Sequence, residues 1–125
     1  IQKQRVSVVM NANTSMICLY WNIGRAILKK QEEEGWGAKV IDRMSKDLKI
    51  AFPEMSGFSP RNIKYMRKFA QCWGDYEIVQ RVVAQIPWRT NITLMDKLKT
   101  QEERIWYAGK TIENGWSKTI LELQI

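Results

Sequence analysis

A chain of 125 residues with 45 % hydrophobic side chains is long enough to bury a real core as one domain and too apolar to stay disordered. Its 20 Lys and Arg against 13 Asp and Glu leave a net charge of +7, an excess that suits a polyanionic partner but does not dictate a fold. The absence of histidine excludes imidazole acid–base chemistry and every His-dependent triad, and the apolar runs are too short to span a membrane.

In chain order, the first element expected is a long helix from Gln2 to about Lys30, carrying Val6, Val9, Met10, Ile17, Tyr20, Trp21, Ile27 and Leu28. It is apolar around much of its circumference, which places it at the centre of the fold or at an interface. Gly24 inside it costs about 1 kcal/mol of helix propensity relative to Ala, a cost that suits a close helix crossing. Glu32 to Gly37 reads as a break with three solvated glutamates. A second helix follows from Ala38 to about Ala51, with Ile41, Met44, Leu48 and Ala51 inward and Asp42, Arg43, Lys46, Asp47 and Lys49 in water. Phe52-Pro53 stops it, because proline disfavours helical geometry in the residue before it.

The stretch from Ser59 to Trp73 carries the most information. Ser59 is suited to cap a helix and Pro60 to open it. At about 100° per residue, Ile63, Met66, Phe69, Ala70 and Trp73 form an apolar arc. Arg61, Lys64, Tyr65 and Lys68 share the opposite side, with Gln71 nearby and Arg67 between the faces. No acidic residue interrupts this stretch. A capped helix with a basic outer stripe, reached from the preceding helix through a somewhat long connection, has the layout of a helix-turn-helix that reads a major groove. Arg61, Asn62, Lys64, Tyr65 and Lys68 are the residues expected at the groove, Arg67 at phosphate, and Arg61 or Asn62 at base edges.

Beyond a break at Gly74-Asp75, a helix is expected from about Glu77 to Gln85, then a corner at Ile86-Pro87-Trp88. Thr90 or Asn91 opens a helix to about Lys99. Thr100 to Glu103 forms a capping box ahead of a helix carrying Ile105, Trp106, Ala108 and Ile112, which ends near Asn114-Gly115. Ser117 caps a last short helix ending at Ile125. No stretch alternates as a strand does, so the fold class is all-α, one compact multi-helix domain over residues 1–125.

The six tryptophans are expected to pack in the core or at corners, with base stacking the minor alternative. Arg81, Arg89, Lys97, Lys99 and Lys118 form a second basic set that would extend a footprint to flanking phosphates if it joined the first. Cys18 reads as a small buried hydrophobe and Cys72 as an edge residue of the basic face, with no metal-ligand spacing and no disulfide expected. There is no cysteine cluster, paired-carboxylate loop or Gly-rich phosphate loop, so no catalysis, cofactor or metal is expected of this chain. It begins on Ile1 without a signal-peptide pattern, which reads as a fragment of a longer cytoplasmic protein.

Several short motifs run in one order along nearly the whole chain. They are Tyr20-Trp21-x-Ile23-Gly24-Arg25, Gly35-Trp36-Gly37-x-x-Val40-Ile41, Gly57-Phe58-Ser59-x-Arg61-Asn62 with Met66-Arg67-x-Phe69, Gln85-Ile86-Pro87-Trp88, Trp106-Tyr107 and Gly115-Trp116-Ser117. Together they resemble the N-terminal domain of the YhcG family of bacterial PD-(D/E)XK nuclease-fold proteins. The resemblance implies a helix-turn-helix-like domain proposed to bind double-stranded DNA, set ahead of a C-terminal nuclease domain that this chain lacks. It also implies an association with restriction-modification and other defence genes. Arg89 and Thr90 stand where the family usually has a small residue and His, and Lys118 where it usually has Arg. The rival expectation is a protein-interaction module in which the first helix forms a homodimer or docks the nuclease domain, to be disrupted by a charge at Ile17. Structured RNA is a more distant partner.

Overall fold

The computed structural model describes residues 2–35 and 38–125, with side chains from residue 12 onward except 36–38. The described residues form seven α-helices and one 3-10 turn, with no strand: α1 (Gln2–Glu34), α2 (Ala38–Ala51), α3 (Pro60–Cys72), α4 (Tyr76–Arg81), the 3-10 turn (Val83–Gln85), α5 (Trp88–Lys97), α6 (Gln101–Asn114) and α7 (Lys118–Gln124). The all-α class expected from the sequence is the class observed. The chain divides into two compact units, one of residues 20–71 and one of residues 1–19 with 72–125.

In the unit of residues 20–71, α1 runs four residues past its expected end because Glu32, Glu33 and Glu34 are helical and exposed. Glutamate is a good helix former, and Gly35, at φ 84°, is where the helix stops. Glu34 pairs with Arg43 in the open, a contact worth at most about 1 kcal/mol. The expected apolar residues Val6, Val9 and Met10, and the corner tryptophan Trp36, lie outside the described side chains. Helix α2 has the expected bounds but a rotated inner face. Val40, Ile41 and Ser45 are buried, Met44 and Leu48 half-buried, and Ala51 exposed. A serine can sit on that face because its Oγ donates to the carbonyl of Phe58 at 2.6 Å.

Helices α1 and α3 meet at Gly24. A Cβ there would lie 2.1 Å from the Met66 carbonyl oxygen and 2.8 Å from Ala70 Cβ, so the close crossing expected at this glycine is present. Ile23 and Ile27 of α1 and Ile63, Met66, Phe69 and Ala70 of α3 are buried.

In the other unit, Ile17, Trp73, Val79, Val83, Ala84, Ile86, Leu94, Met95, Leu98, Ala108 and Leu121 are buried. Ile17 is fully buried, which makes α1 a core element at this position, so a charge there tests folding, not association. The helix expected over Glu77 to Gln85 is shorter and then tightens into the 3-10 turn. Carbonyls of that turn and of the following corner are taken by side chains from elsewhere. Asn13 Nδ2 donates to Ala84 at 3.0 Å and to Ile86 at 3.3 Å, while Asn91 Nδ2 donates to Val83 at 2.9 Å and Ile86 at 3.1 Å. Helix α5 begins at Trp88, two or three residues early, because the Pro87 carbonyl accepts from the N–H groups of Thr90 and Asn91.

Helix α5 packs against α6 and α7. Thr100 caps α6 by accepting from the Glu103 N–H at 3.2 Å, Gly115 ends it in the left-handed region, and Ser117 caps α7. The buried face of α6 is Ala108 and Thr111, whose hydroxyl is satisfied by the Tyr107 carbonyl at 2.7 Å. Ile105, Trp106 and Ile112 therefore point outward, and Trp106, expected to pack, is 55 % exposed. Trp73 is buried, while Trp21, Trp88 and Trp116 are half-buried. Cys18 and Cys72 are half-buried thiols, not joined in a disulfide. No helix among the described residues is long and apolar enough to cross a membrane.

Candidate nucleic-acid interface on the third helix

The ends of α3 follow from local chemistry. Ser59 Oγ accepts from the Asn62 N–H at 3.2 Å, the Ser59 carbonyl accepts from Ile63, and Pro60 takes the first position, where no donor is needed. Gly57, two residues before the cap, has φ 102°, and a Cβ on it would lie 2.6 Å from the Tyr20 hydroxyl. Only glycine serves there without strain.

The apolar arc of α3 is turned inward, which leaves its opposite side as the wall of an open groove of about 470 Å³ lined by Arg61, Lys64, Tyr65, Arg67, Lys68 and Gln71. Arg61, Lys64 and Gln71 are exposed, and their side chains make no hydrogen bond or ion pair with any described residue. Tyr65, Arg67 and Lys68 are half-buried and engaged within the protein. Four cations with no carboxylate on their own helix create a positive potential that a bound polyanion would relieve.

Of the six residues expected at the interface, five lie together in this groove. Asn62 does not. Its Nδ2 donates to the Gly57 carbonyl at 2.7 Å, and its side chain also bonds Tyr20. Burial raises the Tyr20 phenol above its ordinary value, while the Asn62 hydrogen bond acts in the opposite direction. Asn62, Tyr20 and Gly57 thus form a polar clasp that fixes the start of α3, and an amide so committed is not available to a base edge. The periodicity held the signal: Asn62 precedes buried Met66 by four residues and buried Phe69 by seven, so all three share one side of the helix. Gln71 follows Lys64 by seven and shares its side in the same way.

The second basic set, Arg81, Arg89, Lys97, Lys99 and Lys118, is exposed and belongs to the other unit, where Lys118 Nζ lies 3.6 Å from Glu122. Among the described residues no cluster of His, Cys, Asp or Glu could hold a metal ion.

No curated protein and no solved structure is significantly similar to the chain. The family model described as the DUF1016 N-terminal domain matches residues 1–125, so the chain belongs to that family, as its N-terminal domain.

Proposed function

We propose that this domain binds double-stranded DNA through the α3 groove, as the DNA-binding part of a bacterial nuclease of the YhcG type. The observation that carries this reading is the gathering of Arg61, Lys64, Tyr65, Arg67, Lys68 and Gln71 along one open side of a capped helix that has no acid of its own. Helix α2, the connection over 52–59 and α3 lie within one compact unit and supply the parts of a helix-turn-helix. At about 1.5 Å per residue α3 is long enough to lie in a major groove. Any cleavage chemistry belongs, in this reading, to the parent's nuclease-fold domain. A role in handling foreign DNA and a cytoplasmic location follow from the same resemblance.

The test is fluorescence anisotropy on a mixed-sequence duplex across a salt series, with wild type beside the Arg61→Ala, Lys64→Ala, Lys68→Ala triple variant. Wild-type affinity is expected to fall steeply with salt. The triple variant should bind at least about tenfold more weakly, with a log–log slope shallower by about 0.9 for each phosphate no longer neutralised by a side chain. Duplex RNA should bind less well, because side chains cannot read its deep, narrow major groove. Unchanged affinity in the variant, or no binding at low salt, overturns the proposal.

A different surface favours self-association as a second reading. Ile105, Trp106 and Ile112 on α6 are 41 %, 55 % and 40 % exposed, and Leu123 on α7 is 79 % exposed. Exposed apolar side chains of this size, where they form one patch, mark interaction sites. The expected occupant is a second copy, giving a concentration-dependent dimer in sedimentation that Trp106→Glu abolishes. A wild-type protein that stays monomeric at about 100 μM discards this reading, since stable interfaces bind far more tightly than that.

A further inference from the structure

We infer that Gln71 and Arg61 are the base-reading residues of the α3 groove, Gln71 for an adenine and Arg61 for a guanine about four base pairs away. This rests on the DNA reading above and sharpens it. Base readout needs a side chain with its hydrogen-bonding groups uncommitted and enough reach to enter the groove. Among the lining residues, Arg61, Lys64 and Gln71 meet the first condition: each is exposed, and its side chain makes no hydrogen bond or ion pair with a described residue. Tyr65, Arg67 and Lys68 are half-buried and engaged, which suits them to hold the backbone and not to search for bases.

Chemistry separates the three. The Gln71 amide offers a donor and an acceptor in one plane, the pattern that matches N7 and N6 of adenine. The Arg61 guanidinium is a rigid fork of donors that matches O6 and N7 of guanine. The Lys64 ammonium is a hydrated point charge, suited to phosphate. Asn62 carries the same amide as Gln71 one methylene shorter, but its amide already donates to Gly57.

Spacing sets the distance between the two bases. Ten residues of helix separate Arg61 from Gln71, about 15 Å along the axis. Because the groove is inclined to the duplex axis, at about 3.4 Å per base pair that is at most four to five steps.

The experiment selects bound duplexes from a pool with a randomised central segment, using wild type, Gln71→Ala and Arg61→Ala, and sequences the bound fraction. Wild type is expected to enrich an adenine and a guanine at that separation. Gln71→Ala should lose the adenine preference by about 5- to 150-fold and keep the guanine preference. Because glutamine is neutral, the variant should retain wild-type salt dependence on a mixed-sequence duplex. Arg61→Ala should show the converse loss of guanine, with a shallower salt slope. An adenine preference that survives Gln71→Ala, or a wild type that binds the pool without base preference, overturns the inference while leaving duplex binding intact. Failure of wild type to bind the pool at low salt overturns the DNA reading itself.

Discussion

Replacing Gly24 by Ala is expected to destabilise the domain, whereas replacing Gly109 by Ala stabilises it. Both glycines lie in helix interiors, where Ala is favoured by about 1 kcal/mol. At Gly109 nothing lies within 4 Å of an added Cβ, so the propensity gain of about 0.5–1 kcal/mol is realised in full. At Gly24 the added carbon would sit 2.1 Å from the Met66 carbonyl oxygen. That atom is backbone in the middle of α3 and cannot rotate away as a side chain would. Forcing a methyl group into a packed interior costs about 1–3 kcal/mol, and a rigid backbone partner puts this site at the upper end. The net loss for Gly24→Ala is about 2 kcal/mol, and Gly24→Val, bulkier and stiffer at χ1, is expected to prevent folding. Urea denaturation of the three variants checks the sign of each. A Gly24→Ala midpoint equal to that of wild type would mean that α1 and α3 do not cross in contact.

The same glycine shows which features were legible in the sequence. Gly24 stood out because it occupies an otherwise apolar helix at a cost that only a close approach compensates, and that reasoning is local. So are the caps at Ser59, Thr100 and Ser117, the left-handed stop at Gly115 and the bounds of α2. Each depends on residues within one turn of each other. The 3-10 turn is not legible, because the groups that bond the Ala84 and Ile86 carbonyls include Asn13, about 70 positions away in sequence. The outward face of α6 was missed for a related reason. A threonine with a satisfied hydroxyl, Thr111, took the inner position that the apolar pattern assigned to Ile112. On α3 the helical period brings together five groove residues, while Asn62 has the amide chemistry of a base reader but the angular position of an inward residue.

Asn91 is expected to be the least replaceable polar residue of the second unit. It is fully buried, and its Nδ2 donates to the carbonyls of Val83 at 2.9 Å and Ile86 at 3.1 Å, with Pro87 more distant at 3.4 Å. It thereby joins the 3-10 turn to the first turn of α5, across a corner where Pro87 supplies no N–H. Asn91→Leu removes these donors and leaves the Val83 carbonyl with the Ile86 N–H alone and the Ile86 carbonyl with the Asn13 amide, in a place water does not reach. The cost is that of the lost hydrogen bonds, about 0.5–1.5 kcal/mol each, raised by the misfit of a branched chain. Asn91→Asp is predicted to be worse at neutral pH. A carboxylate has no hydrogen to donate, and here it would face carbonyl oxygens in a desolvated site, so its folded-state pKa would rise above the ordinary value of about 3.9. A carboxyl whose pKa is raised on folding contributes stability that is complete below the unfolded-state pKa and lost as pH climbs through the folded-state pKa. Asn91→Asp should therefore approach wild-type stability near pH 3 and fall away toward pH 7, while Asn91→Leu shows a constant deficit relative to wild type across the same range. Thermal unfolding of both variants at several pH values checks the pattern. A pH-independent deficit in Asn91→Asp would mean that the amide does not donate to these carbonyls and that the corner is held by packing alone.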